Sequence, residues 1–140
     1  VKKMITYKEA SQNQIKELCE IRKQQLIDEG IEPSIDIDQD LERFFEDCFQ
    51  NHNLYEILAH DHDKIIATEA VCFYDYPPTY TNQTGRIAYI TNMYTSPHYR
   101  KQGIATKILR ELEEAKRRNV KIMRLGAFFL YFIIYAHKNL

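Results

Sequence analysis

The stretch that most constrains this chain is 86–125, where a strand, a turn, a helix and a second strand follow one another. Arg86 to Thr95 is rich in β-formers, and Ser96, Pro97, His98 and Tyr99 make a turn. From Gly103, the apolar residues Ile104, Ala105, Ile108, Leu109, Leu112 and Ala115 keep helical spacing to about Arg118. Glu113 with Arg117 and Glu114 with Arg118 support that helix as i, i+4 pairs. Val120 to Leu125 returns to β-forming residues. Strand, helix and strand in this order form a parallel crossover unit, so the chain belongs to the mixed α/β or α+β class.

Upstream, Met4 to Tyr7 reads as a short strand. A helix capped by Ser11 or Asn13 turns Ile15, Leu18, Cys19 and Leu26 inward and ends at Gly30. A second opens within Ser34 to Asp38 and places Leu41, Phe44, Phe45 and Cys48 at i, i+3, i+4 and i+7. Leu54 to His60 and Ile65 to Tyr74 read as antiparallel strands joined by a polar connection, Asp61 to Lys64. Tyr76 to Gly85 has the residues of an exposed loop.

At 140 residues, with 44% hydrophobic and 28% charged content, one domain over 1–140 accounts for the chain. The formal net charge of -1 supplies no global basic field for a nucleic-acid backbone. Cys19, Cys48 and Cys72 are odd in number and set in apolar segments, so they read as reduced core residues and point to the cytoplasm. Val1 to Ala10 lacks the apolar run of a signal peptide or anchor. Leu125 to Ala136 is uncharged and almost wholly apolar, but its 12 residues are too few for a bilayer core of about 30 Å, and no membrane contact is expected.

Chemistry concentrates in Arg100-Lys101-Gln102-Gly103-Ile104-Ala105-Thr106, between a strand end and the first turn of a helix. The free N–H groups and positive dipole end of that turn favour a phosphate, and Gly103 admits a ligand close to the backbone. Arg100 and Lys101 add positive charge at the rim. The segment lacks the GxxxxGK[ST] of a nucleotide P-loop and has one glycine of GxGxxG, so a different phosphorylated ligand is implied.

Arg100, Gly103 and Ala105 fit the pattern Arg/Gln-x-x-Gly-x-Gly/Ala, and they follow Asn92-Met93-Tyr94-Thr95-Ser96-Pro97-His98-Tyr99-Arg100. Together these residues resemble the pyrophosphate loop, and the strand and Pro-x-Tyr-Arg before it, of the GNAT acyl-CoA-dependent N-acetyltransferases. The resemblance covers Ile87 to about Leu125, and the two helices and hairpin upstream occur in the family's order. It implies a mixed, mainly antiparallel sheet flanked by helices, with a splayed central parallel strand pair. Acetyl-CoA would be the acyl donor, with no metal. The strand 86–95 would bulge, and backbone groups at Met93, Tyr94 and Thr95 would bind the pantetheine, one amide holding the oxyanion. Gln102, Gly103, Ile104, Ala105 and Thr106 would receive the pyrophosphate, with Arg100 and Lys101 as electrostatic support.

An amine must lose a proton before it attacks, and the family often carries a carboxylate near the positions held here by Thr91 and Asn92. Neither is a strong base, though both can hold a water. Glu69, in the apolar run Ile66 to Cys72, is the expected base. The family's general acid is a Tyr in a pattern like Leu-Tyr-x-x-x-Gly-Phe; here Leu130-Tyr131 matches two letters, which makes Tyr131 the candidate. Segment 126–140 is atypical, and its aromatic, β-prone residues are expected in the core or in a homodimer interface.

Between Asp28 and Asp47 stand nine acids against Arg43 alone, while 100–124 carries nine bases against three acids. The family's first helices commonly wall the acceptor site, so an acidic wall would suit a cationic amine; an ordinary solvated helix face explains the same charges. His60, His62 and Asp63 lack an evident third and fourth ligand partner and read as a polar turn, with no metal expected.

The expected function is transfer of acetyl from acetyl-CoA to a primary amine, on a small molecule or peptide, by direct attack in a ternary complex. A catalytically impaired acyl-CoA-binding or regulatory module is the alternative. A third reading, RNA binding through Arg117, Arg118, Lys121 and Arg124, needs an aromatic-basic face.

Overall fold

The computed structural model describes residues 3–119. The chain runs β1 (Ile5–Glu9), a 3-10 turn (Gln12–Gln14), α1 (Ile15–Asp28), α2 (Asp38–Asn51), β2 (Leu54–Asp61), β3 (Lys64–Asp75), β4 (Arg86–Thr95), a second 3-10 turn (Pro97–Tyr99) and α3 (Ile104–Asn119). The strands form one antiparallel sheet in the order β1-β2-β3-β4. The expected strand at 120–125, the parallel pair it would make, and segment 126–140 with Tyr131 lie outside the described residues.

Successive side chains along β2 and β3 point to opposite faces, and both faces are covered. On one, Leu54, Leu58, Ala70 and Cys72 pack against Leu18 and Cys19 of α1 and Phe45 and Cys48 of α2. On the other, Ile57, Ala59, Ala67 and Val71 meet Ile104, Ile108 and Leu112, the i, i+4, i+8 stripe of α3. β3 is therefore buried without interruption from Ile66 to Cys72, as a strand covered on both sides must be.

Local details depart from the expected ones for identifiable reasons. Ser11 caps the 3-10 turn rather than α1, and the Gln14 side chain accepts the Ser11 N–H at 3.1 Å. Gln25 is buried where Leu26 was expected, because its amide donates to Glu29 at 2.9 Å and satisfies the polar group. α2 begins after Ile37, with the Asp36 carboxylate accepting the Asp38 N–H at 2.9 Å. Phe44 remains exposed, with Phe45 edge-on to it at 5.4 Å and filling the core instead. All three cysteines are reduced and buried.

The loop after β3 is more ordered than its residues suggest. Asn82 is buried: its amide donates to Arg86 O at 3.1 Å and its oxygen accepts from the Thr84 hydroxyl and the Gly85 N–H. Gly85 has φ 70°, and a Cβ there would stand 1.8 Å from Tyr76 O, so the turn requires glycine. No helix among the described residues is long and apolar enough to cross a membrane.

Candidate active site

The passage from β4 to α3 is built from backbone. Lys101 (φ 61°) and Gly103 (φ 81°) are left-handed, a conformation that in tight turns aims consecutive amides to one side. The first bond of α3 joins Lys107 N to Gly103 O at 3.0 Å, so the N–H groups of Ile104, Ala105 and Thr106 have no acceptor within the helix. Nothing lies within 4 Å of the position a Cβ would take on Gly103, so glycine answers the backbone angle and leaves open space beside the amides.

Side chains pin this turn from both flanks. Arg100 Nε donates to Thr95 O at 2.9 Å, and its guanidinium reaches Asp28 Oδ2, at the end of α1, at 3.0 Å. Gln102 donates to His98 O at 2.9 Å and accepts from Lys3 Nζ at 2.9 Å. The Tyr99 hydroxyl donates to Asp61 Oδ2 at 2.7 Å. That bond holds the Asp61 carboxyl below its usual range and raises the Tyr99 phenol. Lys101 projects into solvent.

β4 carries a bulge a few residues before the turn. Thr68 of β3 faces Tyr94 and Ala70 faces Thr91, so Glu69 stands opposite two residues, Asn92 and Met93. Asn92 takes φ 53°, which Asn tolerates better than most side chains. Met93 and Thr95 are buried and Tyr94 is half-buried. Burial, with the nearby Asp28 charge, raises the Tyr94 phenol against the opposing effect of Arg100.

Two buried carboxyls flank the bulge on opposite faces of the sheet. Glu69 lies on the α3 side with its neighbours Ala67 and Val71; it is 1% exposed, and neither carboxyl oxygen has a hydrogen-bond partner among the described residues. Burial pushes its carboxyl up to about 9. The run Ile66 to Cys72 that holds it is buried on both faces, so the carboxyl has no solvent-facing side. Glu56 lies on the α1/α2 side with Leu54 and Leu58; it is 2% exposed, and its Oε1 accepts from Thr68 Oγ1 at 2.6 Å. Burial raises it to about 7, held back by the Thr68 hydroxyl, the Asn92 side chain and the Arg22 charge. Sequence reading passed over Glu56 because β2 is apolar on both faces; its shared parity with Leu54 and Leu58 was the available signal.

Met93, Tyr94, Thr95, Arg100, Lys101, Gln102, Gly103, Ile104, Ala105 and Thr106 thus follow one another along the stretch of chain from bulge to helix, with Met93, Thr95 and Ile104 buried and Glu69 opposite the bulge on β3. The acids of 28–47 are partly engaged: Asp28 pairs with Arg100, and Asp38 with Lys23 at 2.7 Å. His62 Nδ1 lies 2.9 Å from Asp61 Oδ1, and the buried His60 Nδ1 has no partner among the described residues.

The sequence matches the acetyltransferase (GNAT) family over residues 15–129. A predicted acetyltransferase of Clostridium acetobutylicum, crystallised with acetyl-CoA, is 53% identical; the match covers 89% of this chain and 81% of that one, with a TM-score of 0.81. A GCN5-related N-acetyltransferase from Ralstonia eutropha JMP134 shares the fold at 14% identity, TM-score 0.75, over 98% of this chain and 92% of that one. Glucosamine-6-phosphate N-acetyltransferase from Arabidopsis thaliana does so at 14% identity, TM-score 0.62, over 95% and 90%. No curated protein matches the sequence.

Proposed function

The chain belongs to the acetyltransferase (GNAT) family, and from that premise we propose that it moves acetyl from acetyl-CoA to a primary amine by direct attack in a ternary complex. The observation that carries this is the pairing of a strand bulge at Asn92–Met93 with a left-handed turn feeding the open N-terminus of α3, two backbone devices within one stretch of chain. The 53% identical structure with acetyl-CoA supports the same donor here.

The amides of Gln102 to Thr106 receive the diphosphate, where partial positive charge gathers at the helix end. Lys101 adds a solvated charge, and Arg100 braces the turn while remaining a cation beside it. Backbone groups of Met93 to Thr95 hold the pantetheine arm. One amide there polarises the thioester carbonyl and stabilises the oxyanion, a contribution of about 3 kcal/mol for a preorganised donor.

A free alkylamine is scarce at neutral pH, since its conjugate acid titrates at about 10.4. Glu69 is proposed as a proton acceptor across from the bulge; with its carboxyl at about 9, it serves chiefly in the alkaline range. Tyr131 is proposed to protonate the departing thiolate, a cationic amine to meet the acidic 28–47 face, 126–140 to form a homodimer contact, and the cytoplasm to be the compartment.

The test is a thiol-release assay with acetyl-CoA over a panel of amines, with acetyl-CoA binding measured in parallel. Release with at least one amine supports the proposal. Stoichiometric binding without turnover of any amine supports the impaired acyl-CoA-binding module instead.

A further inference from the structure

Glu56 has no part in the function proposed above, yet it is the buried carboxyl whose surroundings are most specific. It lies in a lateral row across the sheet: Glu56 of β2 pairs with Ala70 of β3, and Ala70 with Thr91 of β4, the last regular pair before the bulge. Ala70 is small and fully buried, so the row holds no bulky side chain between Glu56 and β4. Thr68 fixes one oxygen at 2.6 Å. The other, Oε2, is buried with no hydrogen bond among the described residues, while the Asn92 side chain lies near enough to act on the carboxyl. A carboxyl anchored through one oxygen and unbonded at the other keeps a lone pair with which to take up a proton.

We infer that Glu56 is a second proton acceptor of this site, reached from the amine through a water held between Thr91 and Asn92. The inference rests on the acetyl-transfer reading. In the step, the ammonium N–H bond breaks and its proton passes through the water to Glu56 Oε2. The freed nitrogen pair forms the C–N bond at the thioester carbon, and the C–S bond then breaks. The second amine proton goes to the departing thiolate, so the products are the amide, the thiol and a protonated Glu56 that returns its proton to solvent. Because Glu56 acts through water and Asn92, it is a positioning residue in the proton path rather than a group in contact with substrate.

The groups that act on Glu56 are the Arg22 guanidinium from α1, the Thr68 hydroxyl from β3 and the neutral Asn92 side chain from β4; the Cys48 thiol of α2 and the Cys72 thiol of β3 face it as well, and its charge raises both. The chain before α1 meets this residue through the Ala10 N–H, which donates to Glu56 O at 2.8 Å. Arg22 favours the ionised form, whereas burial disfavours it and dominates, setting the carboxyl at about 7. Glu69, at about 9, titrates later from the opposite face.

The experiment is the pH dependence of turnover by the full chain from pH 5.5 to 9.5, with acetyl-CoA affinity measured for each variant. Wild type is expected to show two rising limbs, near 7 and near 9. Glu56→Gln removes the limb near 7 and leaves the other, with acetyl-CoA affinity within about twofold of wild type. Thr68→Val keeps the shape of its side chain but deletes the hydroxyl that stabilises the carboxylate, so it moves the first limb to higher pH. Glu56→Asp restores a limb where Gln has none. A Glu56→Gln profile identical to wild type overturns the inference, as does a Thr68→Val limb that stays in place. Wild type that releases no thiol with any amine overturns the acetyl-transfer reading itself, and this inference with it.

Discussion

The turn at 96–103 and the bulge at 92–93 are neighbours along the same stretch of chain, yet they present opposite environments. Around the turn, every strong charge that faces inward has a partner: Arg100 with Asp28, Lys3 with Gln102, Asp61 with Tyr99. Around the bulge, two carboxyls sit in the sheet interior with three of their four oxygens unbonded among the described residues. Binding a diphosphate asks for a rigid, solvated frame of amides, which paired side chains provide. Moving a proton asks for groups whose ionisation is close in energy to neutrality, which burial provides.

The largest effect that would break this contrast is at Gly103. Gly103→Trp forces φ 81° on a bulky residue and fills the space beside the amides, so acetyl-CoA affinity should fall at least about 100-fold, more than ~2.7 kcal/mol. Calorimetric titration of a variant with a wild-type melting curve measures it, and unchanged affinity would remove the turn from the donor site.

Glu69→Gln probes the other region, with about a tenfold loss of turnover expected at pH 9 and little change in KM for acetyl-CoA. Stability should move as well. The carboxyl is raised from 4.5 to about 9 on folding, so between those values the unfolded chain is ionised and the folded chain is not. Wild type therefore loses stability as pH rises through this window, by up to about 1.4 kcal/mol per pH unit, and the variant escapes that loss. Urea melts at pH 5 and pH 8 check it; a gap between the two proteins that does not widen with pH would count against a neutral, buried Glu69.

Smaller effects sharpen the picture of the turn. Asp28→Asn frees Arg100 from a pair whose members are each 30% exposed, and should raise KM for acetyl-CoA by about threefold without altering kcat, less so in high salt. A drop in kcat would mean that Arg100 does more than brace. Tyr99→Phe should change KM by less than about twofold, since the half-buried Asp61 carboxylate keeps the Met4 N–H and His62 Nδ1 as partners. The same tether should loosen in acid, because Asp61 is held below its usual range and the bond is lost as pH falls through that depressed value.

How much could be read beforehand differs between these regions for a physical reason. The turn depends on main-chain geometry, and residues that permit such geometry are few, so Pro97, Gly103 and the helical stripe Ile104, Ile108, Leu112 pointed to it directly. β4 was expected at the bounds it has, Arg86–Thr95, since β-formers between a glycine turn and a Ser-Pro turn leave little choice. Phe44 and Leu26 were harder, because which of two adjacent apolar residues enters the core depends on the angle at which α1 and α2 meet the sheet. Glu56 was hidden inside a strand that is apolar on both faces.

From the amino-acid sequence alone came the order of the described elements, the turn proposed to receive an anion and the family the chain resembles, because periodicity and turn chemistry are local properties. Tertiary structure decided which carboxyls lose their water, which cations are spent on Asp28 and Asp38, and where the β3–β4 ladder breaks its register. Those outcomes depend on dielectric and on partners distant in the chain: Glu56 and Thr68 are twelve residues apart and Arg100 and Asp28 seventy-two. Only packing brings such groups within reach of one another.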